Sequence, residues 1–317
     1  MKLIIQIPCY NEAQTLTETL DALPKHVPGI DDIEILVIND GSKDNTVEVA
    51  RNWGVNHVVE HLHNQGLAKT FVLGIRTAID LGADIIVNTD ADNQYCADDI
   101  EKLVQPILEN RAKIVIGSRP IDNIEHFSFL KKKLQRVGSS IVRLVSGTSI
   151  PDAPSGFRAY SREAAMALNV FSNYTYTLET IIQAGQKNVP MISVPVRVNE
   201  DLRPSRLVKS IPSYIVKSIL TMVRMFVVYK PFRFFVVLGS IIFGLGFLLG
   251  LRFLYFYFTG SGSAGHVQSL ILASILLMIG FHTVMLAFVA DLLAVNRKLS
   301  EDIQFQLRKL TSSGKSL

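Results

Sequence analysis

Along the first hundred or so residues, short apolar runs alternate with amphipathic stretches. The runs at 3–7, 33–38, 84–87 and 113–116 are brief and rich in β-branched residues, as strands buried on both faces require. Between them, 44–53, 67–81 and 98–109 carry helical periodicity. Strand–helix alternation predicts a doubly wound, mostly parallel α/β sheet, whose ligands sit beyond the carboxyl ends of its strands. The pattern then predicts a helix over 127–146, with Leu130, Leu134, Val137, Ile141 and Leu144 on one side and Lys132, Arg136, Ser139 and Arg143 on the other. A helix over about 175–187 and a strand over 190–198 complete a first domain, residues 1–201.

The pattern changes after Asp201. Residues 202–233 hold seven Lys or Arg and no acid. Within them, 211–230 reads as a helix apolar nearly all round, with a polar stripe of Ser213, Lys217, Thr221 and Arg224. That pattern suits a helix in the headgroup layer of an anionic bilayer; a buried helix with a solvated edge is the alternative. Two apolar stretches follow, 234–258 and 267–290, each long enough to cross a hydrocarbon core of roughly 30 Å. Arg252 is their one Lys, Arg, Asp or Glu, and snorkelling to an interface accounts for it. Lys230 and Arg233 precede the pair, Arg297 and Lys298 follow it, and the 259–266 connector has no Lys or Arg. Both ends of the hairpin, and with them the first domain and the 291–317 tail, are therefore expected on the cytoplasmic side of the inner membrane. Gly246-x-x-x-Gly250 offers a close-packing face, within the hairpin or in a homo-oligomer formed through it.

Composition adds little to this. The 317 residues are 48% hydrophobic with a formal charge of +4, which fits a membrane part, and no nucleic-acid partner is expected. Cys9 and Cys96 match no ligand spacing and suggest no disulfide, as in a reducing compartment. The N-terminal apolar run is too short for a signal peptide and reads as the first strand.

The candidate chemistry lies just after the strands. Asn88-Thr89-Asp90-Ala91-Asp92-Asn93-Gln94 follows the 84–87 run. Carboxylates one residue apart at a strand end can both reach one hard divalent cation, Mg²⁺ or Mn²⁺, together with substrate phosphates. Pro8-Cys9-Tyr10-Asn11-Glu12 follows the first strand and Asn39-Asp40-Gly41-Ser42-Lys43-Asp44 the second, which puts polar groups on the same rim. Asp40 can accept hydrogen bonds from a base or ribose, or cap the next helix, as Ser42 also can. His57, His61 and His63 cluster in sequence; a strand end is preferred to a second metal site.

Together with Asn64-Gln65-Gly66-Leu67-Ala68-Lys69, these segments resemble family 2 glycosyltransferases of the GT-A fold, over roughly residues 1–207. The resemblance implies a nucleotide-sugar site at Pro8, Tyr10, Asn11, Glu12, Asp40, Asn64, Gly66, Lys69, Asp90 and Ala91. It also adds Gln94 to Asp90 and Asp92 as a metal ligand. Gly117-Ser118-Arg119, the R-x-x-x-S of Arg136–Ser140, and Asp152-Ala153-Pro154-Ser155-Gly156-Phe157-Arg158 are similar to acceptor motifs of dolichyl-phosphate mannose synthases and polyisoprenyl-phosphate glucosyltransferases. They imply Arg119, Arg136, Ser140 and Arg158 as phosphate-binding groups, and Asp152 as base, metal ligand or orienter beside Asp92 and Arg119. Where that family often has G-x-S-K, this chain has Arg203-Pro204-Ser205-Arg206; Ser205 and Arg206 keep the hydroxyl and the charge.

The expected activity is therefore metal-dependent, inverting transfer from a UDP- or GDP-sugar to a polyisoprenyl phosphate such as undecaprenyl phosphate. Transfer to a polysaccharide or glycolipid hydroxyl, as by a processive synthase, is the nearest rival. Such synthases usually carry Q-x-x-R-W, and the single tryptophan here, Trp53, lies in an early helix. An inert nucleotide-sugar-binding membrane protein is the other, and the Asp90/Asp92 pair argues against it.

Overall fold

The computed structural model describes residues 1–120, 138–140, 142, 143, 146–170, 176–199, 216, 219, 220, 223, 224, 226–259 and 267–314. They form two compact units, Met1–Met222 with Gln304–Leu317, and Val223–Ile303.

The first unit is built on a seven-stranded sheet. In chain order the elements are β1 (Lys2–Cys9), α1 (Leu16–Asp21), β2 (Asp32–Asn39), α2 (Thr46–Trp53), β3 (His57–Glu60), α3 (Leu67–Asp80), β4 (Ile85–Asn88), a 3₁₀ turn (Ala97–Asp99), α4 (Ile100–Leu108), β5 (Ile114–Ser118), β6 (Arg158–Ser161), α5 (Arg162–Ala167), α6 (Thr177–Gln186) and β7 (Met191–Pro195). The strand order is β3-β2-β1-β4-β6-β5-β7. All pairs are parallel except those of β6, which runs antiparallel to both β4 and β5. The expected parallel α/β sheet is thus present, with one reversed strand in its middle.

Alternation along β1 explains the layers. Leu3, Ile5 and Ile7 face a core shared with Leu16, Leu20, Ile100, Leu103 and Val104, under α1 and α4. On the opposite face Gln6 meets α3. A Cβ at Gly74 would lie 2.4 Å from Gln6 Oε1 and 2.7 Å from Ile38 Cδ1, so glycine lets this helix seat close to the sheet. Gln6 is fully buried, and its Nε2 donates to Asn88 Oδ1 at 2.8 Å. A polar thread thereby starts in the core and leads toward the rim.

The helix expected over 127–146 is seen at 138–140, 142, 143 and 146. Ser139, assigned to its polar side, is instead 1% exposed and accepts from the Ala153 N–H at 3.3 Å. Of the basic juxtamembrane helix, the described residues between 216 and 229 are helical, while Ser213, Lys217 and Thr221 lie outside the described residues.

The second unit contains α7 (Pro231–Phe258) and most of α8 (Val267–Gly314). Pro231 opens α7 at the first turn, where a missing N–H costs nothing. Both helices are long and apolar enough to cross a membrane, and only 11% and 17% of their most apolar stretches is buried by protein. They pack through small residues at heptad spacing, Gly239 and Gly246 on α7, Ala273, Gly280 and Ala287 on α8. A Cβ on Gly280 would lie 2.6 Å from Phe243 N, and one on Gly246 2.8 Å from Leu277 N. Of the Gly246-x-x-x-Gly250 pattern, Gly246 lies in this seam, whereas a Cβ on Gly250 would meet nothing within 4 Å in the single chain.

The expected tail is helix as far as Gly314, and its end belongs to the first unit. Arg308 Nη1 donates to the carbonyls of Met166 and Leu168, both at 2.8 Å, and Nη2 to Asn169 Oδ1 at 2.9 Å. A guanidinium so placed satisfies carbonyls left open at the end of α5.

Candidate active site

The loops after β1, β2 and β4 meet on one rim and are bonded to each other. Asn11, at φ 55°, gives its N–H to Ser42 Oγ (2.9 Å) and accepts from the Lys43 N–H (2.8 Å). The N–H of Glu12 donates to Thr46 Oγ1, and Thr15 Oγ1 donates to the Ala91 carbonyl at 2.8 Å. Asp40 is 4% exposed, and its two oxygens accept from the N–H groups of Gln65 (2.7 Å) and Gly66 (2.9 Å). It therefore shapes the Asn64–Lys69 segment leading into α3, and does not cap α2. Gly41 has φ +66°, and a Cβ there would sit 2.6 Å from the His63 carbonyl carbon, so only glycine lets these two loops touch. Tyr10, Asn64 and Lys69 are exposed on this rim, while Pro8 and Glu12 are buried. His57 pairs with Glu34 (2.8 Å) within the sheet, and no group of three or more His, Cys, Asp or Glu placed to hold a metal ion occurs among the described residues. Burial, then Glu12 and Asp44, hold the Cys9 thiol neutral by raising its pKa well above the ordinary value.

Asp90, Asp92 and Gln94 are half-buried in the loop after β4. Asn93 takes a left-handed turn at φ 52°, and the Gln94 N–H donates to Asp92 Oδ1 at 3.3 Å. Asn199, beyond β7, ties the loop down by donating its N–H to the Gln94 carbonyl (2.8 Å) and its Nδ2 to that of Asn93 (2.9 Å). The donor set fits Mg²⁺ or Mn²⁺, since two carboxylates and an amide offer hard oxygen atoms. The field of Asp90 helps raise the pKa of Tyr176, after burial and ahead of Tyr160.

Opposite lies the Asp152–Phe157 segment. Asp152 is fully buried and grips Arg119 with both oxygens, Nε to Oδ2 at 2.8 Å and Nη2 to Oδ1 at 3.1 Å. The Arg119 N–H adds a third bond at 3.2 Å. Burial would lower the Arg119 pKa, but Tyr95, Asp152 and Asp90 together raise it above its usual value. Of the roles open to Asp152, orienting Arg119 is the one its contacts favour. Asn88 Nδ2 donates to the Gly156 carbonyl (2.8 Å) and to the Tyr176 hydroxyl (2.9 Å), which continues the polar thread from Gln6.

Arg158 requires a correction. Expected on the acceptor phosphate, it is fully buried in β6, and its guanidinium donates to the carbonyls of Ala153, Ser155 and Thr177 and to Thr180 Oγ1 at 2.7–2.9 Å. It braces the Asp152–Phe157 segment through the Ala153 and Ser155 carbonyls. Ser140 is exposed and accepts from Arg143 Nη2 at 2.7 Å; Arg136, Ser205 and Arg206 lie outside the described residues. Asn88 and Gly156 lie inside the Asn88–Gln94 and Asp152–Arg158 motifs and Tyr95 directly follows the first, but no role was expected for them; Tyr176 is distant from both motifs in sequence, and only the fold brings it to Asn88.

A reversed strand inside a parallel sheet, with carboxylates on the rim, defines a GT-A architecture. The model for glycosyl transferase family 2 matches residues 4–168, and the chain belongs to that family; it is a glycosyltransferase. It is 32% identical over 213 residues to a UDP-N-acetylglucosamine–dolichyl-phosphate N-acetylglucosaminyltransferase of Methanococcus voltae, covering 60% of this chain and 83% of that one. It is 26% identical over 218 residues to an undecaprenyl-phosphate mannosyltransferase of Micrococcus luteus, covering 65% and 88%. Among solved structures, glucosyl-3-phosphoglycerate synthase from Mycobacterium tuberculosis, in complex with Mn²⁺, UDP-glucose and phosphoglyceric acid, matches with a TM-score of 0.54 at 18% identity, over 70% of this chain and 79% of that one. At that identity the likeness shows the fold alone.

Proposed function

We propose that this glycosyltransferase moves a sugar from a UDP- or GDP-sugar to a polyisoprenyl phosphate, of which undecaprenyl phosphate is the leading candidate, with inversion at the anomeric carbon. The observation that carries this reading is the partly buried Arg119, held by Asp152 within the field of Asp90. An arginine fork fixed beside the candidate metal carboxylate suits a phosphate acceptor better than a sugar hydroxyl. The relatives named for dolichyl- and undecaprenyl-phosphate transfer support the same class.

An acceptor phosphate oxygen attacks the anomeric carbon, and the bond to the nucleoside diphosphate breaks with its electron pair leaving on that group. A phosphate monoester with a second pKa near ~6 is largely dianionic at neutral pH, so no strong general base is needed. This agrees with Asp152 being committed to Arg119. Asp90, Asp92 and Gln94 would hold Mg²⁺ or Mn²⁺, which when bound neutralises charge on the leaving diphosphate. Arg119 orients the acceptor, and the Asn64–Lys69 segment shaped by Asp40 frames the nucleotide sugar. Helices α7 and α8 anchor the chain in the cytoplasmic membrane, with the catalytic unit on the side where nucleotide sugars are made.

Transfer from UDP- and GDP-sugars to undecaprenyl phosphate in purified membranes tests the reading. Asp92→Asn keeps the side chain's size and removes one charge. Its activity is expected to fall by about a hundredfold, roughly 2.7 kcal/mol of transition-state stabilisation, with membrane insertion unchanged. Full turnover in EDTA would sink the metal assignment.

A further inference from the structure

The candidate metal loop follows β4 and Arg119 follows β5, and β6 separates those two strands in the sheet. Pairing with β6 fixes the spacing of the two strands, but not the position of the groups on the loops beyond them. Tyr95 reaches from one loop to the other. Tyr95 follows the metal loop directly, is 3% exposed, and its backbone pairs with Val198 beyond β7. Its hydroxyl accepts the Gly156 N–H at 3.1 Å, its ring stacks on Phe157 at 4.9 Å, and its ring centroid lies 6.0 Å from the Arg119 guanidinium carbon.

The Gly156 contact bears on the metal carboxylate. A Cβ at Gly156 would lie 3.1 and 3.2 Å from the two oxygens of Asp90, so the carboxylate rests against the bare glycine backbone. That peptide is held on both sides, its N–H by Tyr95 and its carbonyl by Asn88. The other end of the same short segment is Asp152, which grips Arg119. Tyr95 thus touches the segment that borders Asp90 and also the arginine which that segment orients.

We propose that Tyr95 is a positioning residue that sets the metal carboxylate and the acceptor arginine in register, its hydroxyl acting on Asp90 through Gly156 and its ring acting on Arg119. This rests on the reading of Asp90 and Arg119 given under the proposed function, and it assigns the phenol neither proton transfer nor metal ligation. Two substitutions separate the halves. Tyr95→Phe removes the hydroxyl and keeps the ring, whereas Tyr95→Leu removes both.

The experiment is Mn²⁺ titration of the detergent-solubilised full chain with UDP or GDP, followed by electron paramagnetic resonance, beside acceptor kinetics and thermal unfolding of the same preparations. Tyr95→Phe is expected to bind Mn²⁺ on the order of three- to tenfold more weakly, the effect of one hydrogen bond, with acceptor KM within about twofold of wild type. Tyr95→Leu is expected to show the same Mn²⁺ loss and, in addition, an acceptor KM raised on the order of tenfold, as loss of a desolvated cation–π contact predicts. A merely structural tyrosine would lower the melting temperature and the active fraction while leaving both binding constants alone. Wild-type Mn²⁺ affinity in Tyr95→Phe, or wild-type acceptor KM in folded Tyr95→Leu, overturns the proposal. Tyr95→Phe keeps the ring packing and decides the metal half by itself. If the wild-type chain binds Mn²⁺ with a nucleoside diphosphate yet transfers nothing to a polyisoprenyl phosphate, the acceptor reading fails, while the Mn²⁺ comparison still tests the hydroxyl.

Discussion

Arg119 and Arg158 both sit in motifs that resemble acceptor-phosphate segments, and their surroundings divide them. Arg119 lies at the end of β5 with its side chain 10% exposed and one carboxylate partner. Arg158 has no exposed surface and spends its guanidinium on four protein oxygens. Matched lysine substitutions should therefore act differently, because lysine keeps the charge but loses the fork. Arg119→Lys should raise acceptor KM about tenfold, the low end for a hydrogen bond to a charged group, and should also lower stability, since one bond to the buried Asp152 is lost. Arg158→Lys should instead leave at least one buried carbonyl unpaired and cost about 1–3 kcal/mol of stability, with near-normal kinetics in the fraction that remains folded. Unfolding curves beside steady-state kinetics of the two variants check both statements. Nothing local in Gly-Phe-Arg separates these fates. The difference arises because residues 158–161 pair with β4 and β5, far away in sequence.

At the scale of elements, the strands, most helices and the apolar spans were legible from periodicity, because burial on a sheet or in a bilayer imposes a local pattern. The reversed β6 was not, since four buried residues carry no mark of strand direction. Helix phase was misjudged at Ser139, one residue from the exposed Ser140. The hairpin seam was legible only in part: Gly246 lies in it, while Gly239 and Gly280 are selected by the partner helix. Gly280→Leu should force α7 and α8 apart, because backbone atoms of Phe243 stand within 2.6–2.8 Å of the new Cβ. Gly250→Leu should be tolerated, since a Cβ there meets nothing within 4 Å. Comparative melting in detergent, with helicity as the readout, is expected to show a lower transition for Gly280→Leu alone.

For the whole molecule, the expected topology rests on Lys and Arg flanking the spans, a property of composition. A tag at Ser261 should be labelled from the extracytoplasmic side, and tags at either terminus should not; cytoplasmic labelling of Ser261 would refute the anchor. The order of the Asn-Glu, Asp-Gly-Ser and Asp-x-Asp segments, each after a strand, was enough to indicate the family and the rim that carries the chemistry. Such motifs are read locally, as a buried run followed by polar groups. Which of those groups face a substrate and which brace the backbone depends on contacts between residues dozens of positions apart. Asp40 holds Gln65 and Gly66, Asp152 holds Arg119, and Tyr95 holds Gly156. A carboxylate or a phenol has the same chemistry wherever it stands in the chain; burial and the nearest partner across the sheet assign its role.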